Sequence, residues 1–235
     1  SALAWERAAF IRARACAGDV AAGESFLSAI RPFVWRRSLD FGAIAEIGRL
    51  TQRIRANHTG PKRPGPGFNL KQGRGGIREV EFFAQTHQLI HGGRDPSLRL
   101  RGTRASLDAL AAAGLIGNED AQVLGESYDR LRTLEHRLQM VADQQTHSLP
   151  LDPVALENVA RLEGLDNGAA LVAELEAITE DQRAVLLLRV LADLPVRDIA
   201  AVVGKPESAV KALLRRATAS LHRLLAVDED AGEGS

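Results

Sequence analysis

Residues 118–141 have the sequence NEDAQVLGESYDRLRTLEHRLQMV and carry the clearest periodic pattern in the chain. Apolar residues recur there at intervals of three and four. They are Leu124, Tyr128, Leu131, Leu134, Leu138 and Val141. This spacing places the apolar side chains on one face of an α-helix, and Asn118 precedes the pattern as a candidate N-cap. The segment therefore predicts a long amphipathic helix with one face in a core.

The same helical spacing recurs along most of the chain, and strand-like alternation does not. Helical runs are predicted over residues 3–17 and 77–91, after Asp40, from Thr103 to Gly114, and after Asp152-Pro153. Aromatic residues make up only 4% of the chain, which disfavours an all-β sandwich or barrel. The sequence predicts an all-α protein, with a helical bundle domain followed by a small helix-turn-helix domain.

Composition narrows the class of protein but not its partner. The 235 residues include 30 basic and 30 acidic side chains, so the net charge indicates no particular ligand. A single cysteine, Cys16, excludes an internal disulfide framework and a cysteine-based metal site. No uncharged apolar run approaches the roughly 20 residues of a membrane span, so we expect a cytoplasmic protein without a membrane partner. Because the chain starts at Ser1 and its only methionine is Met140, we also expect a fragment.

Residues 59–76, TGPKRPGPGFNLKQGRGG, contain six glycines, three prolines and no acidic residue. Such a segment forms a loop, and it carries Lys62, Arg63, Lys71 and Arg74. Glycines let backbone N–H groups approach an anion, and the loop runs into the start of a helix at Ile77. One hypothesis is a phosphate-binding loop, although no Walker A motif is present. The alternative is a flexible basic surface loop.

The helix after this loop offers no evident metal or catalytic site. Glu79 and Glu81 are two residues apart, so on a helix they point to nearly opposite sides and do not hold one ion together. His87 and His91 are one turn apart but lack an evident third ligand. His136, beside Glu135, is interpreted as a polar helix residue. The sequence predicts no catalytic residue and no bound metal in this chain.

The C-terminal part has the pattern of a helix-turn-helix. A short helix from Pro195 is followed by Gly204 and by a helix that Pro206 opens. One face of that last helix is apolar, and the opposite face contains Ser208, Lys211 and Arg215, spaced as a major-groove reader requires. An ordinary helical hairpin with a solvated basic face is the alternative. The acidic, Gly-rich residues 228–235 predict a disordered tail.

Residues 180–225, EDQRAVLLLRVLADLPVRDIAAVVGKPESAVKALLRRATASLHRLL, resemble region 4 of the extracytoplasmic-function sigma factors. The resemblance implies a DNA-binding module over residues 177–227 that binds the −35 promoter element and contacts RNA polymerase. It also implies the residues that face the DNA. They are Lys205, Ser208, Lys211, Arg215 and Arg216. No segment resembles sigma region 2. In this respect the chain departs from a complete sigma factor.

A second resemblance covers residues 1–170. It rests on WERAAFIRARACAGD (5–19), PFVWRRSLDF (32–41), NLKQGRGGIREVEFFAQ (69–85), GGRDPSLR (92–99) and LEHRLQMVADQQTHSLP (134–150). These segments resemble the helical domain of the adenylyl-removing half of the glutamine synthetase adenylyltransferase/adenylyl-removing enzyme. That family transfers AMP to a tyrosine of glutamine synthetase, or removes it by phosphorolysis, with ATP and magnesium and under control of PII proteins.

The resemblance assigns nucleotide-binding residues from the segment NLKQGRGGIREVEF. They are Lys71, Arg74, Arg78, Glu79 and Glu81. The nucleotidyltransferase core of the family, with its Asp-x-Asp pair, would precede Ser1, so this chain alone is expected to be inactive.

Three interpretations of the whole chain remain open. It is a piece of the bifunctional enzyme joined to a DNA-binding module, or a sigma-like transcription initiation protein with an N-terminal appendage. The third interpretation is an artificial join of two unrelated pieces near residues 170–178.

Overall fold

A computed structural model describes residues 4–37 and 60–193, with side chains over residues 6–37 and 60–182. These residues form seven α-helices and one short 3₁₀ helix. The α-helices are α1 (Ala4–Ile11), α2 (Val20–Val34), α3 (Ile77–His91), α4 (Thr103–Ala112), α5 (Asn118–Ala142), α6 (Pro153–Leu162) and α7 (Gly168–Asp193), and the 3₁₀ helix is Pro96–Leu98. Within the described residues the only strand-like pairing is an isolated antiparallel bridge between Asn69 and Ser148. The predicted all-α class is confirmed.

Several predicted helix ends are confirmed by their backbone geometry. Helix α3 has the predicted bounds. Asp152 caps α6, since its Oδ2 accepts a hydrogen bond from the Ala155 N–H at 3.0 Å. Gly164 follows that helix with a φ of 72°, in the left-handed region that glycine tolerates best.

Other helix ends differ from the prediction. Helix α1 ends at Ile11 rather than near residue 17, because the chain then turns and Ala15 packs against Gly23 of α2. Helix α2 itself was missed. Helices α4 and α5 are preceded by Gly102 and Gly117 as N-caps, so Thr103 and Asn118 are first helical residues instead of caps. Helix α7 continues to Asp193, into the segment that resembles sigma region 4. The predicted helix after Asp40 and the predicted helix-turn-helix lie outside the described residues.

The main core lies where α5, α6 and α7 pack against the segment before α3. Leu131, Leu134 and Leu138 of α5 are buried there as predicted. The other buried members of this core come from the loop segments and from α3, α6 and α7. They are Phe68, Leu70, Ile77, Leu149, Leu156, Val159, Ala160, Leu171 and Leu175. Burial of each large apolar side chain stabilises the fold by about 1.5–3 kcal/mol relative to its exposure.

Two of the quoted segments pack on each other. The guanidinium of Arg99 lies over the Trp35 ring, 5.7 Å from its centroid, and Arg94 Nε donates to the Arg37 carbonyl oxygen at 2.9 Å. A Cβ on Gly93 would lie 1.7 Å from the Arg36 carbonyl oxygen, so this position admits no side chain. The segments over residues 32–37 and 92–99 therefore hold α2 against the end of α3.

The chain divides into two compact units, residues 1–185 and residues 186–235. Leu171 and Leu175 belong to the core of the first unit, so the helical packing continues past residue 170. In the described part of the chain, no helix has both the length and the hydropathy needed to cross a membrane.

A buried carboxylate links three helices of the first unit. The Glu163 side chain, at 0% exposure, is paired with Arg130 and with Arg137, both on α5. Arg130 also donates to Glu174 of α7, with Nε 2.5 Å from Oε1. The hydrogen bonds that Arg130 donates to Glu174 and the nearby charge of Glu163 raise the pKa of Arg130, although burial opposes this shift. The Arg130 guanidinium therefore stays charged over the whole pH range in which the protein is folded.

We predict that Glu163→Gln lowers the free energy of unfolding of the first unit by about 2 kcal/mol, because it leaves two guanidinium groups without their buried anion. Urea unfolding followed by tryptophan fluorescence tests this, since Trp5 and Trp35 both lie within residues 1–185. Asp129→Asn is the matched control. It breaks the exposed Arg104–Asp129 pair at 3.2 Å, which is expected to contribute less than about 1 kcal/mol. Equal losses in the two variants would contradict a structural role for the Glu163 network.

Candidate functional site

Backbone hydrogen bonds hold the glycine-rich segment in place. The Gly67 N–H donates to the Leu149 carbonyl oxygen at 3.0 Å, and the Leu149 N–H donates to the Phe68 oxygen at 2.8 Å. The Leu70 N–H donates to the His147 oxygen at 2.8 Å. Because Phe68, Leu70 and Leu149 are also buried, this short ribbon is anchored in the core. The interpretation as a flexible basic surface loop is not supported for this stretch.

A tight turn follows the ribbon and is organised by Asn69. Its Oδ1 accepts from the N–H groups of Lys71, at 3.0 Å, and Gln72, at 2.8 Å. Its backbone oxygen accepts from the Gly73 N–H at 2.8 Å. A Cβ on Gly73 would lie 2.5 Å from that oxygen and 2.6 Å from the Phe68 ring, so only glycine fits there.

The N–H groups at the start of α3 also have hydrogen-bond acceptors within the protein. The Ile77 N–H donates to the Leu70 oxygen at 2.9 Å, and the Arg78 N–H donates to the Lys71 oxygen at 3.0 Å. The Gly75 N–H donates to Glu79 Oε2 at 3.1 Å. The hypothesis that this backbone cradles a phosphate finds no support in these hydrogen bonds. The donors that a phosphate would need already have acceptors within the chain.

Three of the predicted nucleotide-binding side chains are cations in this turn and the following helix. Arg74 is exposed, and Lys71 and Arg78 are half-buried. The Arg78 guanidinium lies 5.5 Å from the Phe82 ring centroid. Within residues 60–182 no carboxylate forms an ion pair with Lys71, Arg74 or Arg78. These charges are therefore available to an anionic ligand.

The side chains of Glu79 and Glu81 point in different directions, as their spacing on the helix predicts. Glu79 accepts from the Gly75 N–H and so braces the turn. Glu81 pairs with Arg12 Nη1 of the segment after α1 at 3.0 Å, and Arg12 Nη2 also donates to Thr103 Oγ1 of α4. Both carboxylates thus contact the protein's own groups instead of sharing a ligand.

The described side chains do not form a metal cage of their own. Magnesium is held by carboxylate and carbonyl oxygens at short distances. The described part of the chain contains no group of three or more His, Cys, Asp or Glu side chains that could hold a metal. His87 and His91 stack with ring centroids 6.3 Å apart, and the Nδ1 of His87 faces the Phe83 carbonyl oxygen at 3.0 Å.

A buried polar cluster under the ribbon was missed from the sequence. Glu135 is 1% exposed, pairs with Arg132, and its Oε1 lies 2.6 Å from His147 Nδ1. The signal was present in the helix period, since Glu135 falls on the apolar face between Leu131 and Leu138. His136, on the other side of the helix, is exposed as interpreted.

The predicted DNA-facing residues lie outside the described part of the chain, so the structure does not place them. They are Lys205, Ser208, Lys211, Arg215 and Arg216.

Comparison with known proteins decides the family. The sequence profile described as GlnD PII-uridylyltransferase matches residues 48–186, more than half of the chain. The chain belongs to the GlnD PII-uridylyltransferase family. The glycine-rich segment, the ribbon and helices α3 to α6 all lie within the part that matches this family.

Curated relatives carry a more specific name. A bifunctional glutamine synthetase adenylyltransferase/adenylyl-removing enzyme of Bradyrhizobium diazoefficiens is 51% identical over 171 residues, covering 73% of this chain and 17% of that protein. The protein of the same name from Caulobacter vibrioides is 53% identical over 163 residues, covering 69% of this chain and 16% of that protein. These matches confirm the resemblance of the N-terminal part to this enzyme, while its assignment to the helical domain of the adenylyl-removing half stays a prediction. The chain spans less than a fifth of the length of these relatives.

A second profile, described as Sigma-70, region 4, matches residues 169–221. It confirms the resemblance to sigma region 4, while assignment to the extracytoplasmic-function group stays a prediction. The two profiles overlap over residues 169–186, which lie within α7.

Proposed function

We propose that the first unit is the helical domain of a glutamine synthetase adenylyltransferase/adenylyl-removing enzyme, from its adenylyl-removing half, and that it positions the nucleotide. The names of the relatives support this proposal. In this proposal ATP is the nucleotide, glutamine synthetase is the protein substrate, PII proteins control the reaction, and the compartment is the cytoplasm. The predicted domain, residues 1–170, contains the whole glycine-rich segment.

The observation that carries the proposal is a set of cations on a fixed backbone. Lys71, Arg74 and Arg78 follow a ribbon anchored in the core, and no described carboxylate neutralises them. Arginine and lysine bind phosphate oxygens through charge-assisted hydrogen bonds, which are about twice as strong as neutral ones. We therefore assign phosphate contact to these three side chains. Glu79 and Glu81 serve the same site by holding the turn and α3 in place.

The chemistry of AMP transfer needs divalent ions that offset the charge developing on the phosphates. The described residues include no group of three or more metal-ligating side chains, and we assign no step of the reaction to this chain. We propose that residues 1–170 bind nucleotide and do not turn it over alone. In the complete enzyme, carboxylates of the nucleotidyltransferase core would hold the metal.

We predict that the double substitution Lys71→Ala plus Arg74→Ala weakens ATP binding about tenfold or more, because two charge-assisted contacts are lost. Isothermal titration calorimetry at low and physiological salt measures the effect. The matched control is Lys62→Ala plus Arg63→Ala, which removes the same charge from the same segment before the ribbon. In this control the ATP affinity should change less than about twofold, apart from a general loss of long-range charge attraction that salt screens. Equal weakening in both pairs, or in neither, would rule out the assigned site.

A second function is favoured by the match of residues 169–221 to sigma region 4. We propose that residues 177–227 form a DNA-binding module of the extracytoplasmic-function type, which binds the −35 element and RNA polymerase. The basic stripe on the last predicted helix supports the proposal, since it alternates at three and four residues opposite an apolar stripe. Residues 228–235 would remain a disordered tail.

We predict that Lys211→Ala and Arg215→Ala each weaken binding to a −35-containing duplex by about 1–3 kcal/mol or reduce its salt dependence by about one ion. Fluorescence anisotropy over a salt series measures both quantities. Arg197→Ala is the control, since it removes one positive charge from the preceding helix. Unchanged binding in both stripe variants would leave the ordinary helical hairpin as the better interpretation.

A further inference from the structure

Asn69 occupies the junction between the ribbon and the turn that carries Lys71 and Arg74. It is half-buried, and its bridge partner Ser148 lies on the other strand of the ribbon. The amide nitrogen Nδ2 donates to Ser148 Oγ at 3.3 Å, while Oδ1 accepts from the N–H groups of Lys71 and Gln72. One side chain thus ties the start of the turn to the anchored ribbon and fixes the backbone of Lys71.

The glycine N–H groups of the turn already have acceptors within the chain. Gly73 donates to the Asn69 oxygen, Gly75 to Glu79, and Gly76 to the Gly73 oxygen at 3.0 Å. An anion at this turn is therefore held by side chains, and its affinity depends on where the backbone places their Cα atoms. Long cationic side chains lose rotamer entropy on binding, so a fixed backbone reduces the total ordering cost.

We propose that Asn69 is a positioning residue for a triphosphate site formed by the side chains of Lys71 and Arg74. The inference rests on the proposed nucleotide-binding function and goes beyond it, because it names the residue that holds the backbone of these cationic side chains in place. Asn69 itself does not contact the ligand. Its Oδ1 organises the turn from within.

A positioning role can be separated from a purely structural one. Gln72 is exposed and Lys71 is half-buried, so water can hydrate the two N–H groups when Oδ1 is removed. The large apolar anchors of the ribbon, Phe68, Leu70 and Leu149, do not depend on the amide. Removing the side chain should therefore change ligand affinity more than it changes stability.

The experiment compares Asn69→Ala, Asn69→Ser and Ser148→Ala with the unaltered full chain. ATP affinity is measured by calorimetry, and the thermal midpoint of the first unit is measured by tryptophan fluorescence. Asn69→Ala is expected to weaken ATP binding about fivefold or more. Asn69→Ser is expected to restore part of the affinity, because a serine oxygen can accept a hydrogen bond from the same turn. Ser148→Ala, which removes only the partner of Nδ2, should change affinity less than twofold.

Two results would overturn the inference. One is an Asn69→Ala chain that binds ATP as well as the unaltered chain, whatever its thermal midpoint. The other is that Asn69→Ala lowers the ATP affinity and the thermal midpoint together, and that Asn69→Ser does not restore the affinity.

The Lys71→Ala plus Arg74→Ala chain shows which proposal has failed. If that double variant weakens ATP binding but Asn69→Ala does not, only the positioning role is wrong. If the unaltered chain does not bind ATP, the nucleotide-binding function and the positioning role both fail.

Discussion

Three backbone hydrogen bonds between residues 67–70 and residues 147–149 hold the candidate site of this molecule together. A segment with this many glycines and prolines loses much conformational entropy when it becomes ordered. The ribbon offsets that cost because its apolar residues, Phe68, Leu70 and Leu149, enter the core formed around α5. Everything that follows in sequence, from the turn at Asn69 to the start of α3, takes its position from this anchor.

The same constraint changes how an anion can be recognised. A glycine-rich loop before a helix usually suggests phosphate binding by backbone N–H groups. Here the N–H groups of residues 70–73 and 75–79 that would serve are bonded to Asn69, to Glu79, to the His147 carbonyl oxygen and to carbonyl oxygens of the loop. The glycines therefore serve close packing, as Gly73 does against the Phe68 ring and Gly75 does against Thr179 of α7. In the proposed function, recognition of the phosphates is left to cationic side chains, which lack a described acidic partner.

Periodicity was sufficient to predict the helical class, the bounds of α3 and the buried face of α5, because these depend on local spacing. It did not predict where loops make long-range contacts. The pairing of Asn69 with Ser148 and of His147 with Glu135 joins residues distant in sequence. Periodicity also did not predict that the two family matches overlap within α7. Its residues 169–186 match both families, yet Leu171 and Leu175 pack in the core of the first unit. Among the predicted site residues, Lys71, Arg74 and Arg78 follow one another along the turn and α3, while Glu81 is directed to Arg12.

Amide hydrogen exchange of residues 67–79, followed by NMR with and without ATP, tests most directly that this backbone is satisfied from within. The N–H groups of Leu70, Gly73 and Ile77 all have internal acceptors. We therefore expect slow exchange at these three amides in the free protein, changed less than about twofold by ATP, since a bonded amide exchanges only after local opening. Exchange as fast as in an unfolded peptide, with protection gained only when ATP binds, would contradict the account and return phosphate recognition to the glycine backbone.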